Sequence, residues 1–362
     1  MPVAQPPAIV AITSVLLCFS LRGTAQSPVL KPAMATAAVA DDADDPAIWT
    51  NRAHPERSLI VGTNKVAAPD GALYVFGLDG AVRQVVKPLD RPNNVDIEYG
   101  LATPNGPIDI AVATERLQSR LRVYRITENG LAPIDGGGIK VLDGETGERA
   151  MPMGISLYRR PRDGAIFAIV APKSGAITNY LWQYLLTVDA ATGAVVGKLV
   201  RRFGNFSGGG EIEAVAVDDA LGYVYFADEE FALRKWHADP DHAEANRELG
   251  VFGRDGFTDQ REGIAIVGNP DGAGFILVAD QINNGSILRL YRREGQPGQP
   301  HTHDPAVAAI ATSADSTDGI EVTQTPLPGR FPGGFLAMMN SRDRTFQIYD
   351  LAEVMRRIKG GR

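Results

Sequence analysis

The sequence predicts an all-β fold, a six-bladed β-propeller, on three observations. Amphipathic helical stretches are scarce, LAEVMRRIK (351–359) being the clearest. Short alternating runs are punctuated by turn strings such as LDG (78–80), ENG (128–130), ATG (191–193) and NPDGAG (269–274). One pattern also recurs: an acid, a small residue, apolar–x–apolar, a turn, an apolar strand ending in polar residues, then a third strand ending in an aromatic. It is plainest in 211–236, 261–291 and 317–349.

The same order of elements can be traced back through the first half of the chain. DPAIW (45–49), NVDIE (94–98) and MGISL (153–157) each open a unit. The six opening positions are Asp45, Asn94, Met153, Glu213, Glu262 and Asp318, spaced by 49, 59, 60, 49 and 56 residues. Six four-stranded blades around a channel use units of about this length. No low-complexity linker divides residues 26–362, so one domain is expected there.

Residues 1–25 are set aside as a signal peptide. AIVAITSVLLCFSL (8–21) is a 14-residue apolar run, too short for a spanning helix, and small residues at Gly23 and Ala25 suit cleavage after Ala25. The run is preceded by no Lys or Arg. Cys18 is the only cysteine and follows Leu17 rather than a small residue, which argues against a lipid anchor. The expected mature chain is secreted or periplasmic, free of thiol chemistry, without a membrane span and monomeric. With 36 basic and 43 acidic residues and a net charge of −7, it is a poor nucleic-acid binder.

Stacking the repeats turns pattern into chemistry. The inner strand of each blade lines the channel, so the opening residues should meet at one rim. Five of the six are Asp, Asn or Glu. Converging carboxylates repel, and a hard divalent cation relieves that; an all-oxygen ligand set favours Ca²⁺. None of the five histidines occupies a repeat position, which disfavours zinc.

The residues that end the second strands are Lys65, Arg116, Lys173, Glu229, Gln281 and Ser341. Three cations in succession, then an acid and an amide, predict a mouth basic on one arc and acidic on the other. That asymmetry suits a small polyphosphorylated substrate. Lys65, Arg116 and Lys173 would bind its phosphates, and calcium on Glu213, Glu229 and Glu262 would bridge the rest to the acidic arc.

ADDPAIW (43–49), TNK (63–65), NNVDI (93–97), 211–230, REGIAI (261–266), the strand end at Gln281 and STDGIEV (316–322) resemble the β-propeller phytases, over about residues 38–350. The resemblance implies a secreted, Ca²⁺-dependent propeller that releases phosphate from inositol hexakisphosphate, taken as its calcium complex. It implies phosphate contacts from Lys65, Arg116 and Lys173, with Gln281 also at the substrate. It implies catalytic calcium on Glu213, Glu229 and Glu262, an active-site carboxylate in Asp318, and a structural calcium and channel near Asp45 and Asn94. Asp315 is the nearest counterpart of a further metal-binding Asp. Val66, Met153, Ser174 and Gln260 stand where the family has a second Lys, a Tyr, a Glu and an Asp.

The implied mechanism is attack by metal-activated water, with the three cations holding the non-bridging oxygens. Two other readings share the fold: a Ca²⁺-dependent hydrolase of another ester or lactone, which has no need of three aligned cations, and a propeller that binds a phosphorylated ligand without turnover.

Overall fold

The computed structural model describes residues 28–327 and 329–360, with Met1 and Val3. Apart from those two, the signal peptide expected over 1–25 lies outside the described residues, Cys18 included. No helix among the described residues is long and apolar enough to cross a membrane.

Six small sheets of four or five strands form the blades. Their innermost strands are Ala43–Trp49, Pro92–Leu101, Pro152–Arg159, Val215–Asp218, Arg261–Gly268 and Ile320–Thr323. Each packs against the next, and the sixth against the first, so the ring closes around a channel. Every opening position of the sequence repeat lies at or just before the start of one of these strands. Adjacent strands pair antiparallel within every blade.

The apolar alternation explains why blades stack rather than stand alone. A strand puts successive side chains on opposite faces, so a central blade must bury both. Six hydrophobic cores result, each shared by two neighbours. Val112 and Ile110 of the second blade meet Leu157 and Trp182 of the third, and Ile60 and Phe76 of the first meet Phe346 and Ile348 of the sixth. Each such side chain contributes about 1.5–3 kcal/mol by leaving water. The contact between first and sixth blades is close enough to require glycine at 62, where a Cβ would lie 2.1 Å from the Phe346 ring.

The sixth blade is completed from the other end of the chain. Its outermost strand is Met34–Ala35, paired with Ile348 and Gln347. The predicted C-terminal helix forms as Leu351–Gly360, capped by Asp350 Oδ1, which accepts the Ala352 N–H at 2.9 Å. Its Leu351 and Val354 bury into the core between the fifth and sixth blades.

Candidate active site at the channel rim

Antiparallel pairing decides what shares the rim. Where an inner strand begins, the second strand of the same blade ends: Ala43 lies opposite Asn64, Pro92 opposite Glu115, Pro152 opposite Pro172 and Arg261 opposite Asp280. The opening residues and the strand-end residues therefore face one mouth.

One layer below, a second ladder holds the inter-blade loops. The last residue of the second strand is Asn64, Glu115, Asp228, Asp280 or Asn340 in five of the six blades, with Pro172 in the third. Each of the five accepts a backbone N–H from the loop that enters its blade. Asn64 Oδ1 takes Asp42 N–H at 2.9 Å, Glu115 Oε1 takes Asp90 N–H at 2.8 Å and Asp228 Oδ2 takes Ser207 N–H at 2.8 Å. Asp280 Oδ2 takes Thr258 N–H at 2.9 Å, and Asn340 Oδ1 takes Asp315 N–H at 3.0 Å. The three acids are each paired with an arginine of the third strand: Glu115 with Arg120 at 2.5 Å, Asp228 with Arg234 at 2.8 Å, Asp280 with Arg289 at 2.6 Å. A buried carboxylate needs such a partner and an amide does not. Sequence reasoning passed over this ladder, although its period equals that of the strand-end cations one residue later.

On the basic arc, Lys65 Nζ is paired with Asp44 and lies 3.5 Å from Asp318 Oδ2. Burial disfavours its charge, but Asp44, Glu213 and Asp318 together hold its pKa well above the ordinary lysine value. Lys173 is paired with Glu211. Arg116 is buried; burial pushes its guanidinium pKa down against the pull of Glu213.

On the acidic arc, carboxylate oxygens of Glu211, Glu213 and Glu229 all lie within 4.8 Å of one another. Glu229 Oε2 accepts the Glu211 N–H at 2.8 Å, and Glu213 Oε1 accepts Asn93 Nδ2 at 2.7 Å. Burial, with Glu213 and Glu211 beside it, pushes Glu229 up to about 8. Burial and then Glu229, Glu213 and Asp318 drive Glu262 far above the carboxylate range. Asp318, also raised by burial to about 6 despite Lys65, accepts a hydrogen bond from Gln281 Nε2.

Lys65, Arg116, Lys173, Glu213, Glu229, Glu262, Gln281 and Asp318 are thus gathered at one mouth. Asp45 and Asn94 are there in a tighter setting. Asp45 Oδ2 accepts the Val95 N–H at 2.9 Å, stitching the first blade to the second, and a Cβ on Gly319 would fall 2.1 Å from Asp45 Oδ1. Asn94 Oδ1 accepts from Asn93 Nδ2 at 2.8 Å. Asp315 takes its contacts from a loop instead, with Asn284 N–H donating to it and Arg342 at 3.3 Å. Met153 fills its repeat slot as a buried apolar side chain.

Three participants were not singled out from the sequence. Asp44 and Glu211 are the ion-pair partners of Lys65 and Lys173, and Asn93 orients Glu213. Asp44 is wholly buried and neither of its oxygens has a well-formed hydrogen bond. DDPAIW offered two adjacent acids, and only the register tells which one faces Lys65.

The carboxylates of Asp44, Glu211, Glu213, Glu229, Glu262 and Asp318 therefore share this mouth with three cations. Such a site can take a hard cation among the acids and an oxyanion against the bases. The fold resembles that of a Bacteroides uniformis protein described as a 6-phosphogluconolactonase, with a TM-score of 0.52 and 13% identity over 84% of this chain and 80% of that one. In sequence, the chain is 29% identical over 309 residues to the 3-phytase of Bacillus subtilis (strain 168), spanning 84% of this chain and 75% of that protein. A family model for phytases matches residues 11–345, from the apolar N-terminal run into the last blade. The chain belongs to the phytase family.

Proposed function

We propose that this enzyme releases phosphate from inositol hexakisphosphate, taken as a calcium complex, and that its activity depends on Ca²⁺ held at the channel rim. The observation that carries the reading is the interleaving of Lys65, Arg116 and Lys173 with the carboxylate cluster of Glu211, Glu213 and Glu229.

The residues fit calcium. Every donor in the cluster is oxygen, the carboxylates converge, and those of Glu229 and Glu262 are pushed up by burial and by the acids beside them. Glu213, Glu229 and Glu262, with Glu211 beside them, would hold the ion. When bound, calcium supplies positive charge among the carboxylates and makes water held there more acidic, as in-line attack on phosphorus requires.

The chain's own groups supply the rest. Lys65, Arg116 and Lys173 hold the non-bridging oxygens, where charge grows in the transition state. Asp44 and Asp318 fix Lys65, Glu211 fixes Lys173, and Gln281 orients Asp318. Preset partners of this kind leave little reorganisation for the reacting complex.

The test is inorganic phosphate release from phytate with added Ca²⁺, after chelation and after calcium is restored. Activity that vanishes on chelation and returns with calcium supports the reading; full activity in the chelator overturns the calcium part. The apolar run at 8–21 further supports export, which N-terminal sequencing of the mature protein checks by a start at Gln26.

A further inference from the structure

The residue just before each opening position is Asp44, Asn93, Pro152, Ile212, Arg261 or Thr317. Two of these hold a rim side chain in place: Asp44 is paired with Lys65, and Asn93 Nδ2 donates to Glu213 Oε1 at 2.7 Å. Arg261 is the one cation in the series.

The Arg261 side chain is buried, and each of its three nitrogens donates to a backbone carbonyl. Nε reaches Gly253 O at 2.8 Å, Nη2 reaches Arg254 O at 2.7 Å and Nη1 reaches Glu229 O at 2.9 Å. Its guanidinium also lies over the Phe257 ring at 4.5 Å. Other arginines of the same two blades take carboxylates instead: Arg234 takes Asp228, Arg289 takes Asp280 and Arg293 takes Asp218. A planar fork fixed to three carbonyls acts as a geometric brace.

The brace spans two blades. Gly253 and Arg254 follow the outer strand Gly250–Phe252 of the fourth blade, and Glu229 lies between its strands Tyr223–Asp228 and Ala232–His237. Arg261 opens the inner strand of the fifth blade. Its N–H points to the same Glu229 carbonyl at 3.4 Å. Glu229 is held from the other side by Glu211, whose N–H donates to Glu229 Oε2 at 2.8 Å and whose carbonyl accepts the Glu229 N–H at 3.2 Å. Beyond Glu262, the Gly263 N–H donates to Asp318 O at 2.7 Å, and a Cβ on Gly263 would lie 2.6 Å from that oxygen. Glu262 is therefore flanked by two cross-blade fastenings, and the one toward Glu229 is completed by a side chain. Carboxylates that share an ion repel one another when it is absent, so whatever fixes their separation also tunes how well they bind it.

We propose that Arg261 is a positioning residue of the acidic arc: through the Glu229 carbonyl its guanidinium sets the spacing of the Glu229 and Glu262 carboxylates, and with it the affinity for Ca²⁺. The proposal rests on the reading that calcium binds at this rim.

The test is calorimetric titration of chelator-treated full-length protein with Ca²⁺, comparing the wild type with Arg261→Met, Arg261→Lys and Arg293→Met. Arg261→Met should bind calcium about tenfold more weakly, and its phosphate release from phytate should need about tenfold more calcium to reach half its maximum. Arg261→Lys should lose about threefold, since one nitrogen cannot span all three carbonyls. Arg293 braces the same pair of blades at the far end, where Nε and Nη2 donate to Asp218, each at 2.6 Å. Arg293→Met should lower the melting temperature yet leave calcium affinity within about twofold of the wild type. Affinity unchanged in Arg261→Met, or weakened equally in Arg293→Met, overturns the proposal while leaving calcium binding at the rim intact. If Arg261→Met does not fold, Arg261→Lys decides: about threefold weaker binding supports the proposal and unchanged binding overturns it. A wild type that takes up no calcium overturns the calcium reading and this proposal with it.

Discussion

The channel has two acidic ends, and they handle their charge differently. At the rim where the inner strands begin, carboxylates are interleaved with Lys65, Arg116 and Lys173. At the far end, Asp96, Glu98, Asp219 and Glu321 line the same channel. Arg52, which also lines that end, is stacked over the Tyr99 ring at 4.5 Å. The carboxyls there rely on backbone N–H groups, as when Asp96 Oδ2 accepts Leu157 N–H at 2.7 Å and Asp219 Oδ1 accepts Arg159 N–H at 2.9 Å. Burial pushes Asp96 up to about 6 and Glu321 to about 8, and burial with Asp219 alongside drives Glu98 far up. One end sets Lys65, Arg116 and Lys173 among its acids, and the other holds its acids with backbone N–H groups. Convergence of carboxylates is thus a product of the ring, and at the rim three cations are set among them.

The sharpest contrast is in turnover. Glu262→Ala at the rim should lower phosphate release from phytate by about a hundredfold or more, while Glu321→Gln at the far end should change it less than about twofold. Initial rates at saturating calcium measure both, and comparable losses would break the distinction between the ends.

Stability should then change in opposite directions. Asp280→Ala removes the partner of Arg289 and the acceptor that holds the 253–260 loop, and should cost about 3–5 kcal/mol in denaturant unfolding. Glu321→Gln removes an acid that burial already disfavours, and should raise Tm by about 2–4 °C at pH 8.

The smallest effect is the pH dependence itself. Glu321 titrates at about 8 in the folded chain, against an ordinary value of 4.5. The folded state therefore holds more protons than the unfolded state across that window, and stability falls as pH rises through it. Melting curves of chelated protein between pH 5 and 9 should show the decline, and Glu321→Gln should flatten it.

Much of this was legible in the sequence because a propeller turns sequence period into position. The opening residues and the strand-end cations recur once per unit, and antiparallel pairing puts both at one rim. NVDIE also held a signal that went unused: Asn94, Asp96 and Glu98 alternate, so they share one strand face. What could not be read lies off the period. Glu211 sits two residues before a repeat position and Asp44 one before. The edge strand Met34–Ala35 is two residues long, too short for any alternation to announce.

That edge strand also sets the order of assembly. Met34 pairs with Ile348, so the seam of the ring joins residues more than three hundred positions apart. The earliest strand of the finished barrel of blades must wait for the last blade to be made, and contacts of such separation make folding slow. Cleavage after Ala25 would leave this fastening whole, whereas trimming beyond Ala35 would leave the sixth blade one strand short and the ring unlatched.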